Sequence, residues 1–141
     1  MIKLFDKKKP APVQLPESAK IKKIDPPSSI DGCEIVYDYD NVEMFIPKLY
    51  TAPLDYSKIN INDRLTGVQT PWELDSESVS LWLENPDYHY IIGHLDYGEI
   101  KDMFNDWANK GKPTYILISD IDEANESIMM RVAFYDKIEK K

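Results

Sequence analysis

Residues 90–115 constrain the fold more tightly than any other stretch of this 141-residue chain. They read YIIGHLDYGEIKDMFNDWANKGKPTY, which is an apolar run, a glycine, a mixed polar and apolar stretch and a second apolar start. Within the mixed stretch, four apolar residues recur at the i, i+3, i+4, i+7 spacing of one helical face: Ile100, Met103, Phe104 and Trp107. The pattern predicts an amphipathic helix over about 97–110 that lies between two strands and buries this stripe.

Residues at both ends of the predicted helix match capping patterns. Asp96, with Glu99 three residues later, has the capping-box spacing. Gly111 suits the left-handed position after a helix, and Pro113 prevents the helix from continuing. Lys101 belongs to the polar residues on the opposite side, which we expect to face solvent.

Short apolar runs bounded by turn residues predict six or seven strands. The predicted strands are 33–37, 42–46, 59–69 (interrupted by Asn62 and Asp63), 78–83, 88–94, 114–119 and 127–135. Residues 38–41 and the acidic stretch 120–126 are turns in this interpretation. The last strand is apolar on both faces, which predicts a central position, and the short connections imply antiparallel pairing. The predicted fold class is α+β: a small, mostly antiparallel β-barrel-like sheet with one main helix packed on it.

Charge and composition divide the chain near residue 32. Residues 1–31 hold 7 lysines, 4 acidic residues and several prolines, which predicts a flexible Lys/Pro-rich arm. Residues 32–141 hold 10 basic and 21 acidic residues, a net charge of −11, and are predicted to form a single α+β domain. Cys33 is the one cysteine, which favours a buried structural thiol. Because neither a transmembrane run nor a secretory signal is evident, we expect a cytoplasmic protein.

Two stretches together resemble the HIRAN domain family over about residues 60–112: DRLTGVQTPWELDSESVSLWL and YIIGHLDYGEIKDMFNDW. Gln69, Thr70 and Pro71 stand in the place of the family's Arg-Glu-Pro motif, and Asp75 in that of its loop aspartate. Ser78-Val79 match its Ala-Ile pair, and Gly93-His94-Leu95 its turn into the helix. The resemblance implies a small barrel related to oligonucleotide-binding folds. It also implies the capture of single-stranded DNA ends, as in the best-known members.

Aromatic residues are the candidate binding residues, because the bases of single strands stack on aromatic rings. The predicted binding residues are Tyr37, Lys48, Arg64 and Trp72. The two rings would stack on bases and the two cations would contact phosphates. Asp38 and Asp40 depart from the family pattern, since they place carboxylates beside Tyr37 where a phosphate needs cations.

Other clusters of polar residues have plainer structural interpretations. His94 is predicted to orient the turn before the helix by a hydrogen bond, and residues 120–126 lack the spacing of an EF-hand loop. Catalytic residues, metal ligands and cofactors are not predicted. The leading interpretation is a non-catalytic binding module for single-stranded nucleic-acid ends. The alternatives are an acidic protein-interaction domain with a basic partner and, with least support, a metal-dependent hydrolase.

Overall fold

The computed structural model describes residues 22–46, 54–70, 78–84, 91–96 and 98–138. The strands are β1 (Ser29–Ile30), β2 (Cys33–Phe45), β3 (Arg64–Gln69), β4 (Val79–Leu83), β5 (Ile91–Leu95), β6 (Thr114–Asp122) and β7 (Ser127–Asp136). A 3-10 turn spans Tyr56–Lys58, and helix α1 spans Glu99–Asn109.

Six strands of the described chain close into an antiparallel barrel in the order β2–β5–β4–β3–β6–β7, with β7 pairing back onto β2. The two-residue strand β1 pairs with the start of β2, outside this ring. β2 pairs with β7 along most of its length, whereas it meets β5 at Met44 and Phe45. The barrel and its helix confirm the predicted α+β class, and β7 has the predicted central position.

Strand β2 corrects the prediction of two strands separated by a turn at residues 38–41. It is one strand of 13 residues whose pairing with β7 shifts register at two places. At the second shift, Asn41 has a φ of 55°, and its amide donates to the Asp40 carboxylate over 2.8 Å. Of the residues that suggested a turn, Asp38 and Tyr39 pair with β7 and Asp40 and Asn41 form a bulge, because β7 provides a partner on both sides of it.

The predicted interruption at Asn62 and Asp63 is present, but residues 59–61 before it form no strand, and the turn after β6 is shorter than predicted. Asn62 has a φ of 79°, and the Asp63 carboxylate accepts from the Asn60 amide at 2.9 Å, so β3 begins only at Arg64. At the other hairpin, β6 continues to Asp122 and the turn is confined to residues 123–126. Of the predicted strand 88–94, residues 88–90 lie outside the described chain.

Helix α1 lies where the apolar periodicity predicted it, and Phe104 and Trp107 of the predicted stripe are buried, at 4% and 8% exposed. Ile100 and Met103 are half-buried. Lys101, predicted to face solvent, is 3% exposed, so the buried face of the helix is shifted from the apolar stripe toward Lys101. The N-cap is Gly98, at a φ of 140°, and not Asp96 as predicted. Its backbone lies in a region open mainly to glycine, and this sets the entry into the helix.

The C-terminus of α1 is a Schellman motif, as the glycine predicted. Gly111 has a φ of 69° and donates its N–H to the carbonyl of Ala108 at 3.0 Å. The N–H of Lys112 donates to the carbonyl of Trp107, also at 3.0 Å. These two bonds satisfy the last carbonyls of the helix and turn the chain back over its final turn.

Two hydrophobic clusters lie on the two sides of the barrel wall. The main core fills the barrel and includes Phe104 and Trp107 of α1. The second cluster comprises Cys33, Ala133 and Tyr135, with Ile30, Ile35 and Tyr115 packed against it. Since side chains alternate along β7, Tyr135 faces outward where Phe134 faces inward. A covered outer face explains why β7 is apolar on both sides.

The outer cluster is covered by residues 22–30, which we call the strap. Pro26 is buried, and the carbonyl of Pro27 accepts from the hydroxyl of Tyr135 at 2.6 Å. Asp25 forms an ion pair with Arg131. Residues assigned to the arm by composition thus contact the barrel from residue 22 onward, and residues 1–21 lie outside the described chain.

Candidate functional site: an aromatic cluster beside the helix C-terminus

Four rings meet where the C-terminal turn of α1 packs against β2 and β7. We call them the aromatic cluster: Tyr37, Tyr39, Trp107 and Phe134. Trp107 lies edge-on to Phe134 at 5.6 Å and to Tyr37 at 5.9 Å between ring centroids. Tyr39 lies edge-on to Phe134 at 6.0 Å. Edge-to-face contacts of this kind add to the area buried and hold each ring in one orientation.

Tyr37 is the member of the cluster that faces solvent. It is 47% exposed, whereas Phe134 is fully buried. Its ring is stacked on that of Tyr39 two residues later, with 17° between the planes and 6.4 Å between centroids. Alternate residues of a strand share a face, so the strand itself sets this offset stacking. The result is an exposed ring with a fixed orientation.

Trp107 fixes the helix and the cluster to the barrel. Its indole Nε1 donates to the carbonyl of Tyr135 at 2.7 Å, inside the protein. On the opposite flank of α1, the amide of Gln69 donates to the side-chain oxygens of Asn105 and Asn109 at 2.8 and 3.2 Å. The helix is therefore tied to both β7 and β3, and the rings beside it have little freedom to move.

Two lysines lie beside the cluster because the Schellman motif reverses the chain. The ammonium of Lys112 lies 4.8 Å from the centroid of the Trp107 ring, and that of Lys110 lies 6.0 Å from it. Both are within the range of a cation–π contact. Together with Tyr37 they place a flat ring and two cations at one end of the molecule.

Each of these lysines also contacts a carboxylate. Lys110 pairs with Asp106 at 3.0 Å, and Lys112 pairs with Asp136 at 2.7 Å. The hydrogen bond from Lys112 holds the pKa of Asp136 below its ordinary value of 3.8. An incoming phosphate would therefore have to compete with these carboxylates. The Lys110–Asp106 pair is exposed and ion pairs of that kind are weak, whereas the Lys112–Asp136 pair is half-buried.

The predicted binding residues do not all lie at this site. Tyr37 belongs to the aromatic cluster. Arg64 lies on the outer face of the wall, where its guanidinium is 4.3 Å from the ring centroid of Tyr115 and 4.0 Å from the carboxylate of Glu84. Tyr37 and Arg64 thus face opposite sides of the wall. Lys48 and Trp72 lie outside the described residues.

The carboxylate of Asp38, which the sequence placed beside Tyr37, is directed away from it. Both of its oxygens accept from Arg131, at 3.0 and 2.7 Å, on the outer face. Asp40 accepts from the amide of Asn41. The acidic residues of β2 next to Tyr37 are therefore engaged in local contacts of their own.

Sequence reasoning missed Trp107 and Lys112 as site residues. Trp107 was assigned to the core, which is where most of its ring lies. Lys112 follows Gly111, and a left-handed residue after a helix is the signal that could have placed it back over the last turn.

Other polar groups of the described chain have structural roles. His94 Nδ1 lies 3.4 Å from the hydroxyl of Ser78, the residue just before strand β4, which is a long hydrogen bond. The acidic turn after β6 is closed by Asp122, which accepts from the amide and side chain of Asn125. Cys33 is buried and unpaired. The described residues contain no group of three or more His, Cys, Asp or Glu side chains placed to hold a metal ion.

None of the helices in the described part of the chain is long and apolar enough to cross a membrane. Comparisons of the chain with family models, with curated proteins and with solved structures gave no match.

Proposed function

We propose that this chain is a non-catalytic binding module that holds single-stranded nucleic acid by stacking a base on Tyr37. The observation that carries the proposal is the exposed Tyr37 ring, fixed by Tyr39 and Trp107 with two lysines nearby. Stacking of one base on an aromatic side chain contributes about 1–3 kcal/mol. The resemblance to the HIRAN family supports the same class of ligand.

The lysines supply the electrostatic part of this proposal. Lys110 and Lys112 lie over the ring of Trp107, which is itself in contact with the ring of Tyr37, and in this proposal they contact the phosphates next to the stacked base. A phosphate would exchange with the carboxylates of Asp106 and Asp136, so binding would weaken as salt rises. The Lys-rich arm would add sequence-independent attraction. As part of the same proposal we place the module in the cytoplasm, in keeping with its unpaired cysteine.

The proposal predicts that Tyr37→Ala weakens binding of a labelled single-stranded oligonucleotide by about 5- to 150-fold, which corresponds to the stacking contribution of one base. Tyr37→Phe keeps the ring and should bind as the wild type does. Fluorescence anisotropy at about 50 mM and about 200 mM salt measures both the affinity and its electrostatic part.

Phe45→Ala is the matched control, because Phe45 is an aromatic residue of the same strand with a similar exposure of 49%. It should leave the affinity unchanged. Absence of wild-type binding at low salt, or equal losses in Tyr37→Ala and Phe45→Ala, would reject the stacking site. Far-ultraviolet circular dichroism verifies that each variant is folded.

A second candidate function is that of an interaction domain for a basic protein segment. It is favoured by the pairing of Lys110 and Lys112 with carboxylates and by the excess of 21 acidic over 10 basic residues in residues 32–141. Calorimetric titration with a Lys-rich peptide, and with a Glu-rich peptide of equal length as control, tests it. Salt-sensitive binding of the first peptide that survives Tyr37→Ala would favour this candidate over nucleic acid.

A further inference from the structure

The strap is attached to the barrel by polar contacts along its length and by two apolar residues, the buried Pro26 and Ile30, which packs against the outer cluster. Lys22 and Ile24 are held by the side chain of Asn62, which donates to the Lys22 carbonyl at 2.9 Å and accepts from the Ile24 amide at 3.0 Å. At its other end, the two residues of β1 pair with the start of β2.

The middle of the strap is held by Arg131 and Tyr135. Arg131 donates to both Asp25 of the strap and Asp38 of β2, so its guanidinium bridges the strap to the wall. The side chain of Asp25 is 83% exposed at this contact. The hydroxyl of Tyr135 donates to the carbonyl of Pro27. The bonds of Arg131 lie at the surface, where water competes with each partner, whereas the bond from Tyr135 is partly buried.

The strap buries little apolar surface of its own. Seven of its nine residues are exposed, and Pro26 is the one that is buried. Ile24 is 48% exposed. Segments with few buried apolar contacts and solvent-exposed hydrogen bonds open at low cost, whereas strands that surround a packed core open at a cost close to that of global unfolding. The residues that the strap covers are, in contrast, buried: they are Cys33, Ala133 and Tyr135.

We propose that the strap is a conformational device that opens while the barrel stays folded, and that this opening uncovers the Cys33 thiol and the outer faces of Tyr115 and Tyr135. The bridge from Arg131 to Asp25 and the bond from Tyr135 to Pro27 set how often it opens. The hinge is the Asp31–Gly32 turn, whose residues have φ values of 51° and 81°. This inference is independent of binding at the aromatic cluster.

Cys33 reports the opening directly, because it is the one cysteine of the chain and reacts only when solvent reaches it. The full chain is mixed with Ellman's reagent across a range of urea concentrations below the global transition. Reaction through local opening accelerates only weakly with urea, whereas reaction through global unfolding follows the full urea dependence of unfolding. We expect the weak dependence in the wild type.

Two variants test which contacts hold the strap. Asp25→Asn should speed labelling about two- to five-fold, and Tyr135→Phe about two- to ten-fold. Asp106→Asn, which breaks the ion pair with Lys110 on α1, is the matched control and should leave the rate unchanged. The inference is overturned if wild-type labelling carries the full urea dependence, or if the two strap variants label no faster than Asp106→Asn.

Discussion

Tyr135 shows how one residue can bind two elements at once, one through its backbone and the other through its side chain. Its ring is fully buried in the outer cluster, its carbonyl accepts from the indole of Trp107, and its hydroxyl donates to Pro27 of the strap. Burial is the main cause that raises the pKa of Tyr135 to about 12, with further contributions from Tyr115 and Asp38. Removal of the proton would leave a buried phenolate beside a carbonyl oxygen.

The raised pKa of Tyr135 predicts a loss of stability at high pH. In the unfolded chain tyrosine ionises near pH 10, so between about pH 10 and 12 the folded state binds more protons than the unfolded state. The free energy of unfolding should therefore fall as pH rises through this window, and it should fall less in Tyr135→Phe. Absorbance at 295 nm should show a transition near pH 12 that Tyr135→Phe lacks; identical titrations would contradict the assignment.

At the scale of elements, the packing of α1 against β3 depends on a residue without a side chain. Gly67 lies in the middle of β3, and a Cβ placed on it would come within 2.5 Å of Cζ and 2.8 Å of Cε2 of Phe104. The ring of Phe104 therefore packs directly against the strand backbone. Gln69, two residues later, bonds to the flank of the same helix.

Gly67→Ala should displace α1 and lower the free energy of unfolding by about 1–3 kcal/mol, the usual cost of overpacking a core. Phe104→Leu makes room for the added methyl, so the double variant should lose less than the sum of the two single variants. Urea unfolding followed by tryptophan fluorescence measures all four proteins. Strict additivity would mean that the helix does not rest on Gly67 in this way.

The elements also show what local sequence could and could not predict. Helix α1 was predictable because periodicity, glycine and proline signals agreed along one short stretch. Its N-cap was not, since Gly98 starts the helix from a conformation that no capping pattern encodes. β2 was divided in the prediction because Asp38–Asn41 favour a turn locally. Only the distant partner β7 decides that they continue the strand through a bulge instead.

The candidate site was predictable only in part, because residue type can be read from the sequence and the face on which a residue lies cannot. Tyr37 was identified because an aromatic residue on a predicted strand is a candidate for stacking on bases. Its separation from Arg64 was not visible, because the side of the wall that a residue faces depends on strand register in the closed barrel. Lys112 reaches Trp107 only through the reversal at Gly111, which is a property of three-dimensional structure.

At the scale of the whole molecule, closure of the barrel depends on a short pairing of two residues from β2 with two from β5. Met44 and Phe45 pair there with Leu95 and His94. Gly93 lies beside this junction, and a Cβ on it would be 2.5 Å from the sulfur of Met44 and 2.9 Å from the carbonyl oxygen of Phe45. The sulfur can move aside, but the carbonyl belongs to the paired backbone.

Gly93→Ala should therefore push β2 and β5 apart and cost about 1–3 kcal/mol of stability. Hydrogen exchange followed by mass spectrometry should show faster exchange in peptides covering residues 44–45 and 91–95 than in those covering β7. Met44→Ala removes the side-chain clash and leaves the backbone clash. Added to Met44→Ala, Gly93→Ala should therefore still lower stability by most of this amount relative to Met44→Ala alone. Uniformly faster exchange along the chain would argue against a local effect at this junction.

The pairing of β2 with β7 has a consequence for how the protein is made. Asp38 on β2 and Arg131 on β7, which bond across this pair, are 93 residues apart in the chain. At about 5–20 residues per second, a ribosome needs about 5–20 s to synthesise the chain between them. During that interval β2 is already synthesised but has no β7 to pair with. Its apolar residues are therefore open to contact with chaperones or with other parts of the unfolded chain until β7 is translated.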